Sequence, residues 1–191
     1  MNLEPMDSSM QGAPAFAAEL LCAPDGQGMA VSARLAFEAG NQSLQQQDFA
    51  QAVACYDEAI VMCPDVPEFH FNRANALAAQ NDMASALHGY ALALALRPDY
   101  APAHANRGNA LYALGRYFEA LESYDAALAL QPAMAEVHLN RGNALVRLKQ
   151  FVPAFQSYEA AVAADGTMAE AHFNKGVALQ ILMHAQQAKA A

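Results

Sequence analysis

From about residue 33 onward the chain alternates between apolar segments of helical spacing and short polar breaks. Each segment is about 13 residues long, with its apolar side chains returning to one face at the 3.6-residue period of an α-helix. First helices are predicted near 34–46, 68–80, 102–114 and 136–148, and second helices near 51–63, 84–96, 118–130 and 152–164. The breaks inside each pair are Gln47 and Asp48, Asn81 and Asp82, Gly115 and Arg116, and Lys149 and Gln150, the last followed by Pro153 as a first-turn proline. Pro64, Pro98, Pro132 and Gly166 mark the end of each pair. The pattern describes helical hairpins.

These hairpins are copies of one another. One constant shift superimposes PEFHFNRANAL from Pro67, APAHANRGNAL from Ala101, AEVHLNRGNAL from Ala135 and AEAHFNKGVAL from Ala169. In the second helices Ala52, Ala86, Ala120 and Ala154 recur, as do Tyr56, Tyr90, Tyr124 and Tyr158, and then Ala59, Ala93, Ala127 and Ala161. A constant period over four units, 33–66, 67–100, 101–134 and 135–168, implies a quasi-linear stack in which each unit contacts only its neighbours. The fifth copy stops short of its tyrosine. Its break, Leu182 to Ala185, contains no Gly, Pro, Asn or Asp, which predicts one long capping helix from about 170 to 188. The alternative is a truncated fifth unit of a longer chain. Residues 1–32 read as a flexible leader. Within it, Phe16, Leu20 and Leu21 suit a short amphipathic helix over 13–23 that covers the edge of the first unit, a disordered tail being the other reading.

The unit resembles the tetratricopeptide repeat, whose pattern W-x2-L-G-x2-Y, then A-x3-F, then P, has a period of about 34 residues. In the central copy Gly108, Ala120 and Pro132 match, and Tyr124 is a close substitute for the Phe. Three departures recur: His for the Trp at unit position 4, Arg or Lys for the Leu at position 7, and Leu for the Tyr at position 11. The resemblance covers residues 33 to about 182. It implies an all-α, right-handed α-solenoid of tandem helix-turn-helix repeats with a C-terminal capping helix, its first helices lining a concave groove.

At 100° per residue, positions 4, 7, 8 and 11 of a first helix fall on one face, and positions 2, 6, 9 and 13 on the opposite one. His104, Arg107, Gly108 and Leu111 share the face that packs on the second helix, where Gly108 permits close approach. The opposite face carries two rows of carboxamides: Asn72, Asn106, Asn140 and Asn174 at position 6, and Asn41, Asn75, Asn109 and Asn143 at position 9. By the resemblance these rows face the groove, in the manner of the asparagine ladder of O-linked N-acetylglucosamine transferases. A carboxamide donates and accepts at once, which suits the backbone of an extended peptide. Phe71, Tyr112, Leu139 and Phe173 would add apolar contact. The competing reading gives the asparagines to hydrogen bonding between helices. A carboxylate clamp of the kind the family uses for chaperone tails is not expected, since Phe37 stands where the clamp needs Lys and Asn where it needs Arg or Lys.

Composition narrows the partners. The formal net charge is -9, and the stretch up to Ala33 holds Glu4, Asp7, Glu19 and Asp25 with no Lys or Arg, which argues against nucleic acid or an anionic membrane. No apolar run reaches the roughly 18 residues of a bilayer span and the acidic start lacks a signal-peptide basic region, so a cytoplasmic location is expected. Cys55 and Cys63 would lie about 12 Å apart along one helix, too far for a disulfide, and Cys22, Cys55 and Cys63 read as buried reduced thiols. The repeated His70, His104, His138 and His172 sit in successive units about 10 Å apart, too far to share a metal ion, and read as core histidines. Arg73, Arg141 and Lys175 are each preceded, at one constant offset, by an acid, Asp57, Asp125 and Glu159, whereas Arg107 has Ala91 at that offset. No phosphate loop, nucleophile elbow or metal-ligand spacing is present, so no catalysis, metal or cofactor is expected. The expected role is a protein-interaction scaffold holding an extended peptide or a partner helix. The alternatives are the substrate-recruiting part of a larger enzyme such as a glycosyltransferase, and a self-assembling scaffold with end-to-end self-association.

Overall fold

The computed structural model describes residues 27–190, so the short helix expected at 13–23 lies outside the described residues. Within them the chain is all α-helix: α1 (Gln27–Gln45), α2 (Phe49–Met62), α3 (Pro67–Ala79), α4 (Met83–Leu96), α5 (Ala101–Ala113), α6 (Tyr117–Leu130), α7 (Ala135–Arg147), α8 (Phe151–Ala164) and α9 (Ala169–Ala190). The helices pack as hairpins α1/α2, α3/α4, α5/α6 and α7/α8, each second helix also lying against the next first helix, and α9 closes on α8. First helices also touch in series, α1 to α3, α3 to α5 and α5 to α7, which places them along the inner side of a solenoid. One boundary departs clearly from expectation. The first helix, expected from 34, begins at Gln27, because Gly28 weakens a helix by about 1 kcal/mol without ending it and no proline or cap follows before Val31.

Each hairpin turns through a left-handed residue, Gln47, Asn81, Gly115 or Lys149, with φ of 60°, 65°, 75° and 60°. The next residue's N–H then returns to a carbonyl at the end of the first helix: Asp48 to Ser43 at 2.9 Å, Asp82 to Leu77 at 3.0 Å, Arg116 to Leu111 at 2.9 Å and Gln150 to Leu145 at 2.9 Å. This helix-ending geometry satisfies carbonyls that the terminated helix would leave open. Asp48 and Asp82 go on to cap the following helix, accepting from the N–H of Gln51 at 3.0 Å and of Ser85 at 3.1 Å.

The tyrosines hold each hairpin shut. Tyr56, Tyr90, Tyr124 and Tyr158 are at most 2% exposed and lie among alanines that are fully buried. Three of them fill glycine notches. A Cβ at Gly40, Gly108 or Gly142 would meet the ring of Tyr56, Tyr124 or Tyr158 at 2.6, 2.5 and 2.4 Å. The second unit reverses the arrangement: Ala74 takes the first-helix position and Gly89 supplies the space, where a Cβ would lie 2.8 Å from that of Ala74. One of the two helices must lack a side chain at the crossing, and either can.

Polar contacts then fasten unit to unit. The Nε2–H groups of His70, His104, His138 and His172 donate to the carbonyls of Pro64, Pro98, Pro132 and Gly166, at 2.6, 2.8, 2.8 and 3.0 Å. Arg73 pairs with Asp57 at 2.5 Å, Arg141 with Asp125 at 2.6 Å and Lys175 with Glu159 at 2.9 Å. These are the pairs expected from the constant offset between cation and acid. Among the described residues no group of three or more His, Cys, Asp or Glu is placed to hold a metal ion, and no helix is long and apolar enough to cross a membrane.

The cysteine expectation needs one correction. Cys55 is a buried free thiol, but Cys63 is disulfide-bonded. Helix geometry had excluded only the pairing of those two with each other.

Two measurements test this packing. Gly108→Ala gains about 1 kcal/mol of helix propensity but drives a Cβ into Tyr124 at a cost of about 1–3 kcal/mol, so urea unfolding followed by circular dichroism should show a net loss of stability. Burial pushes the phenols of Tyr56, Tyr90 and Tyr124 above the usual tyrosine range, and that of Tyr158 up to about 12. A raised folded-state value favours the protonated form in the native state. The resulting stability is complete below pH about 10 and is lost as pH rises toward 12 and beyond, whereas unfolded tyrosine ionises near 10. Unfolding midpoints between pH 8 and 12 should therefore stay level and then fall, with the drop beginning near pH 10.

Candidate functional site

The first helices that touch in series, α1, α3, α5 and α7, share a face that carries the asparagine rows, with Glu136 and Arg147 at positions 2 and 13 beside them. The position-9 asparagines are fixed from behind. Their Oδ1 atoms accept from the tyrosine hydroxyls: Tyr56 to Asn41 at 2.8 Å, Tyr90 to Asn75 at 2.8 Å, Tyr124 to Asn109 at 2.9 Å and Tyr158 to Asn143 at 2.8 Å. Three of these oxygens accept a second bond across the unit boundary. The Nδ2 groups of Asn106, Asn140 and Asn174 donate to Asn75, Asn109 and Asn143 at 2.9, 3.1 and 3.2 Å. One oxygen thus joins the tyrosine of its own unit to the next unit's first helix. Each such bond contributes about 1 kcal/mol, and the buried hydroxyls would be costly to leave unpaired.

The network uses only part of each carboxamide. Among the described residues, the Oδ1 atoms of Asn106, Asn140 and Asn174 and the Nδ2 groups of Asn109 and Asn143 make no protein hydrogen bond. Asn109 is exposed and the other four are half-buried. An acceptor from one row and a donor from the other therefore recur in consecutive units. Asn41 and Asn72 are half-buried in the earlier units, and Asn75 is buried at 5% exposure.

The flanking residues behave differently from one another. Tyr112 stands edge-on to Tyr117, with ring centroids 5.4 Å apart, and lines a cleft of about 190 Å³ together with Asn143, Tyr158, Asn174, Arg147 and Val177. This cleft brings Tyr112, Asn143 and Asn174 together. Phe71 and Leu139 do not line it. Each is 7% exposed. Phe71 packs against Tyr90 and Tyr100 with centroids 6.0 and 4.9 Å away, and Leu139 belongs to the core around Tyr158. Unit position 5 lies between the two faces of the first helix, where the second helix of its own unit covers it. Phe173 occupies that same position in α9 and is 71% exposed, with no second helix after α9 among the described residues.

Six cleft residues, among them Arg147 and Val177, are not among those the sequence singled out for the groove. Arg147, at position 13, holds its guanidinium 5.0 Å from the centroid of Tyr117, and Val177 stands at position 9 where earlier units have Asn. Arg147 and Val177 were legible from helical phase, since positions 9 and 13 share the inner face. Choosing by residue type rather than by phase hid them.

Comparison with known proteins agrees with the helical-repeat fold. The family model for the TPR repeat matches residues 40–81 and 108–149. No curated protein sequence matches the chain. Among solved structures it is similar to the MamA segment from residue 41 to the end, from Desulfovibrio magneticus RS-1. The two are 23% identical over 83% of this chain and 90% of that one, with a TM-score of 0.75. It is similar also to YrrB, described as a TPR protein with an unusual peptide-binding site, at 19% identity over 76% of this chain and 75% of that one, TM-score 0.69. The first TPR of Spaghetti (RPAP3), solved with an HSP90 peptide, is 29% identical over 62% of this chain and 97% of its own length, TM-score 0.61. The recurring units with their alanine–tyrosine second helices are tetratricopeptide repeats, matched by the family model over residues 40–81 and 108–149.

Proposed function

We propose that this chain is a protein-interaction scaffold that takes an extended peptide along the inner side of the stack. The observation that carries this reading is the division of labour within the carboxamides. Tyrosine hydroxyls and neighbouring asparagines saturate the position-9 oxygens, which orients the side chains and leaves alternating acceptors and donors at Asn106, Asn109, Asn140, Asn143 and Asn174. An extended backbone offers N–H and C=O groups in alternation, so such a row holds a peptide without reading its side chains. Asn72 extends the row into the second unit. Tyr112 and the apolar wall of the 190 Å³ cleft would add affinity for one side chain near the C-terminal units.

Two solved structures similar to this chain carry peptides or a described peptide-binding site, the RPAP3 repeat and YrrB, and they lend support to the scaffold role. Capture of a C-terminal carboxylate is not part of the proposal. At the position that would require a clamp lysine, Phe37 packs its ring 5.7 Å from Tyr56 and 4.9 Å from Phe69.

The triple variant Asn72→Ala, Asn106→Ala, Asn140→Ala tests the reading on an array of immobilised extended peptides. At about 1 kcal/mol for each lost hydrogen bond, binding should weaken by roughly 100-fold. Circular dichroism provides the control for folding. Unchanged peptide capture by a variant of intact helicity would exclude the asparagine rows as the binding element.

A further inference from the structure

The inner face carries a cation that the rest of the stack leaves unanswered. Positions 2, 6, 9 and 13 of the described first helices hold two cations, Arg34 and Arg147. Arg34 pairs with Glu38 of its own helix at 3.3 Å. Arg147 is exposed in the last turn of α7 and makes no ion pair or hydrogen bond among the described residues, its guanidinium resting 5.0 Å from the centroid of the Tyr117 ring. Position 13 is uncharged elsewhere, as Gln45, Ala79, Ala113 and Ile181. Lys149, just beyond it, is also exposed and without an acid, whereas Arg73, Arg97, Arg116, Arg141 and Lys175 each have one. The acids of the same face, Glu136 and Glu170, stand in the first turns of α7 and α9. At 1.5 Å per residue they lie about 16 Å along the helix axis from position 13, beyond the roughly 8 Å over which exposed charges act in physiological salt.

Arg147 stands in the wall of the 190 Å³ cleft, where Val146, Val177 and Ile181 supply apolar surface and Asn143 and Asn174 supply polar edges. We propose that the side chain this cleft takes from a bound peptide ends in a carboxylate: a Glu or Asp whose stem lies on the apolar wall and whose oxygens accept from the Arg147 guanidinium. This rests on the reading of the inner side as a peptide groove. It names the residue class that the groove selects, which carboxamides bonded to a peptide backbone leave undefined. A guanidinium is planar and offers paired N–H donors that match the two oxygens of a carboxylate. Contact with the Tyr117 ring restrains it, and apolar neighbours strengthen the pair by excluding water.

A single carboxylate suits this place better than other anions. Phosphate carries nearly two charges and is recognised by clusters of Arg, whereas here one guanidinium and one neighbouring Lys stand in a chain of net charge -9. That same net charge repels long acidic runs, so the class is one acidic side chain in an otherwise uncharged or basic segment. Arg147 also sits where a cation favours the C-terminal end of a helix. That role alone would affect the stability of α7 and leave peptide preference untouched, which makes the two separable.

The probe is a phage-displayed library of random peptides, fused at their C-termini so that no terminal carboxylate is offered, selected in parallel on the full chain and on its Arg147→Gln and Arg147→Glu forms. Sequences retained by the unmodified chain are expected to share one Glu or Asp, and those retained by Arg147→Glu to carry Lys or Arg at that place. In a synthetic, amidated copy of a selected peptide, replacing the shared acid by its amide should weaken binding to the unmodified chain by about fivefold, a modest factor because the guanidinium is partly solvated. The acid-to-amide ratio should fall toward one in Arg147→Gln, and should shrink in the unmodified chain as salt is raised. Circular dichroism of both variants should show unaltered helix content, since the residue is exposed. Retained peptides with no shared acid, an acid-to-amide ratio that Arg147→Gln preserves, or tighter binding of a copy with phosphoserine at that place would overturn the proposal and leave the groove standing. No peptide retained by any form would overturn the groove reading and this proposal with it.

Discussion

The structure depends on the contact between a tyrosine ring and a missing side chain. At three of the hairpin crossings, those of Gly40, Gly108 and Gly142, the two backbones approach closely because one helix has glycine where the other presents its ring, and the surrounding alanines keep the rest of the crossing narrow. Close-packed interiors tolerate little change in volume, so this one crossing fixes the register of both helices. The second unit shows that volume is the constraint, rather than the identity of one position. Alanine has replaced the glycine there, and Gly89 on the opposite helix restores the space.

The same tyrosines link packing to the inner surface. A ring held in its notch puts its hydroxyl at a fixed place, where it meets the position-9 asparagine of the same unit. That asparagine's oxygen also accepts from the next unit's position-6 asparagine. Core geometry thereby becomes the orientation of surface carboxamides. Polar groups held in this way reach a ligand with little further ordering to do, which favours affinity. The network and the proposed peptide row are therefore complementary. Bonding between helices consumes one oxygen lone pair after another, and what remains is available to a ligand.

The ion pairs and the histidine bonds play a different part. They tie adjacent units at their outer edges, through atoms that are partly solvated, where single pairs contribute modestly. Arg107 is the exception in its row, with Ala91 where its neighbours have an acid. The stack does not need every pair, because the hydrophobic clusters around each tyrosine repeat from unit to unit.

Much of this was legible in the chain itself. A constant repeat period cannot arise from independent helices, so hairpins, stacking and the all-α class follow from spacing alone. The acids that precede Arg73, Arg141 and Lys175 at one offset follow from the same arithmetic. Helical phase also separated the asparagine face from the packing face. Phase around one helix says nothing, however, about which neighbour covers a position, and so Phe71 and Leu139 looked available although the second helix of their own unit buries them. Residue spacing likewise ruled out a Cys55–Cys63 bond without revealing that Cys63 is bonded elsewhere. The local sequence determined where helices start, stop and turn, because caps, turns and apolar period are short-range properties. Only the tertiary structure decided that an oxygen such as that of Asn109 is shared between its tyrosine and the next unit's asparagine, and that Gly176 faces open space. Both depend on what stands opposite a residue, and that is fixed by the stacking of units rather than by any one of them.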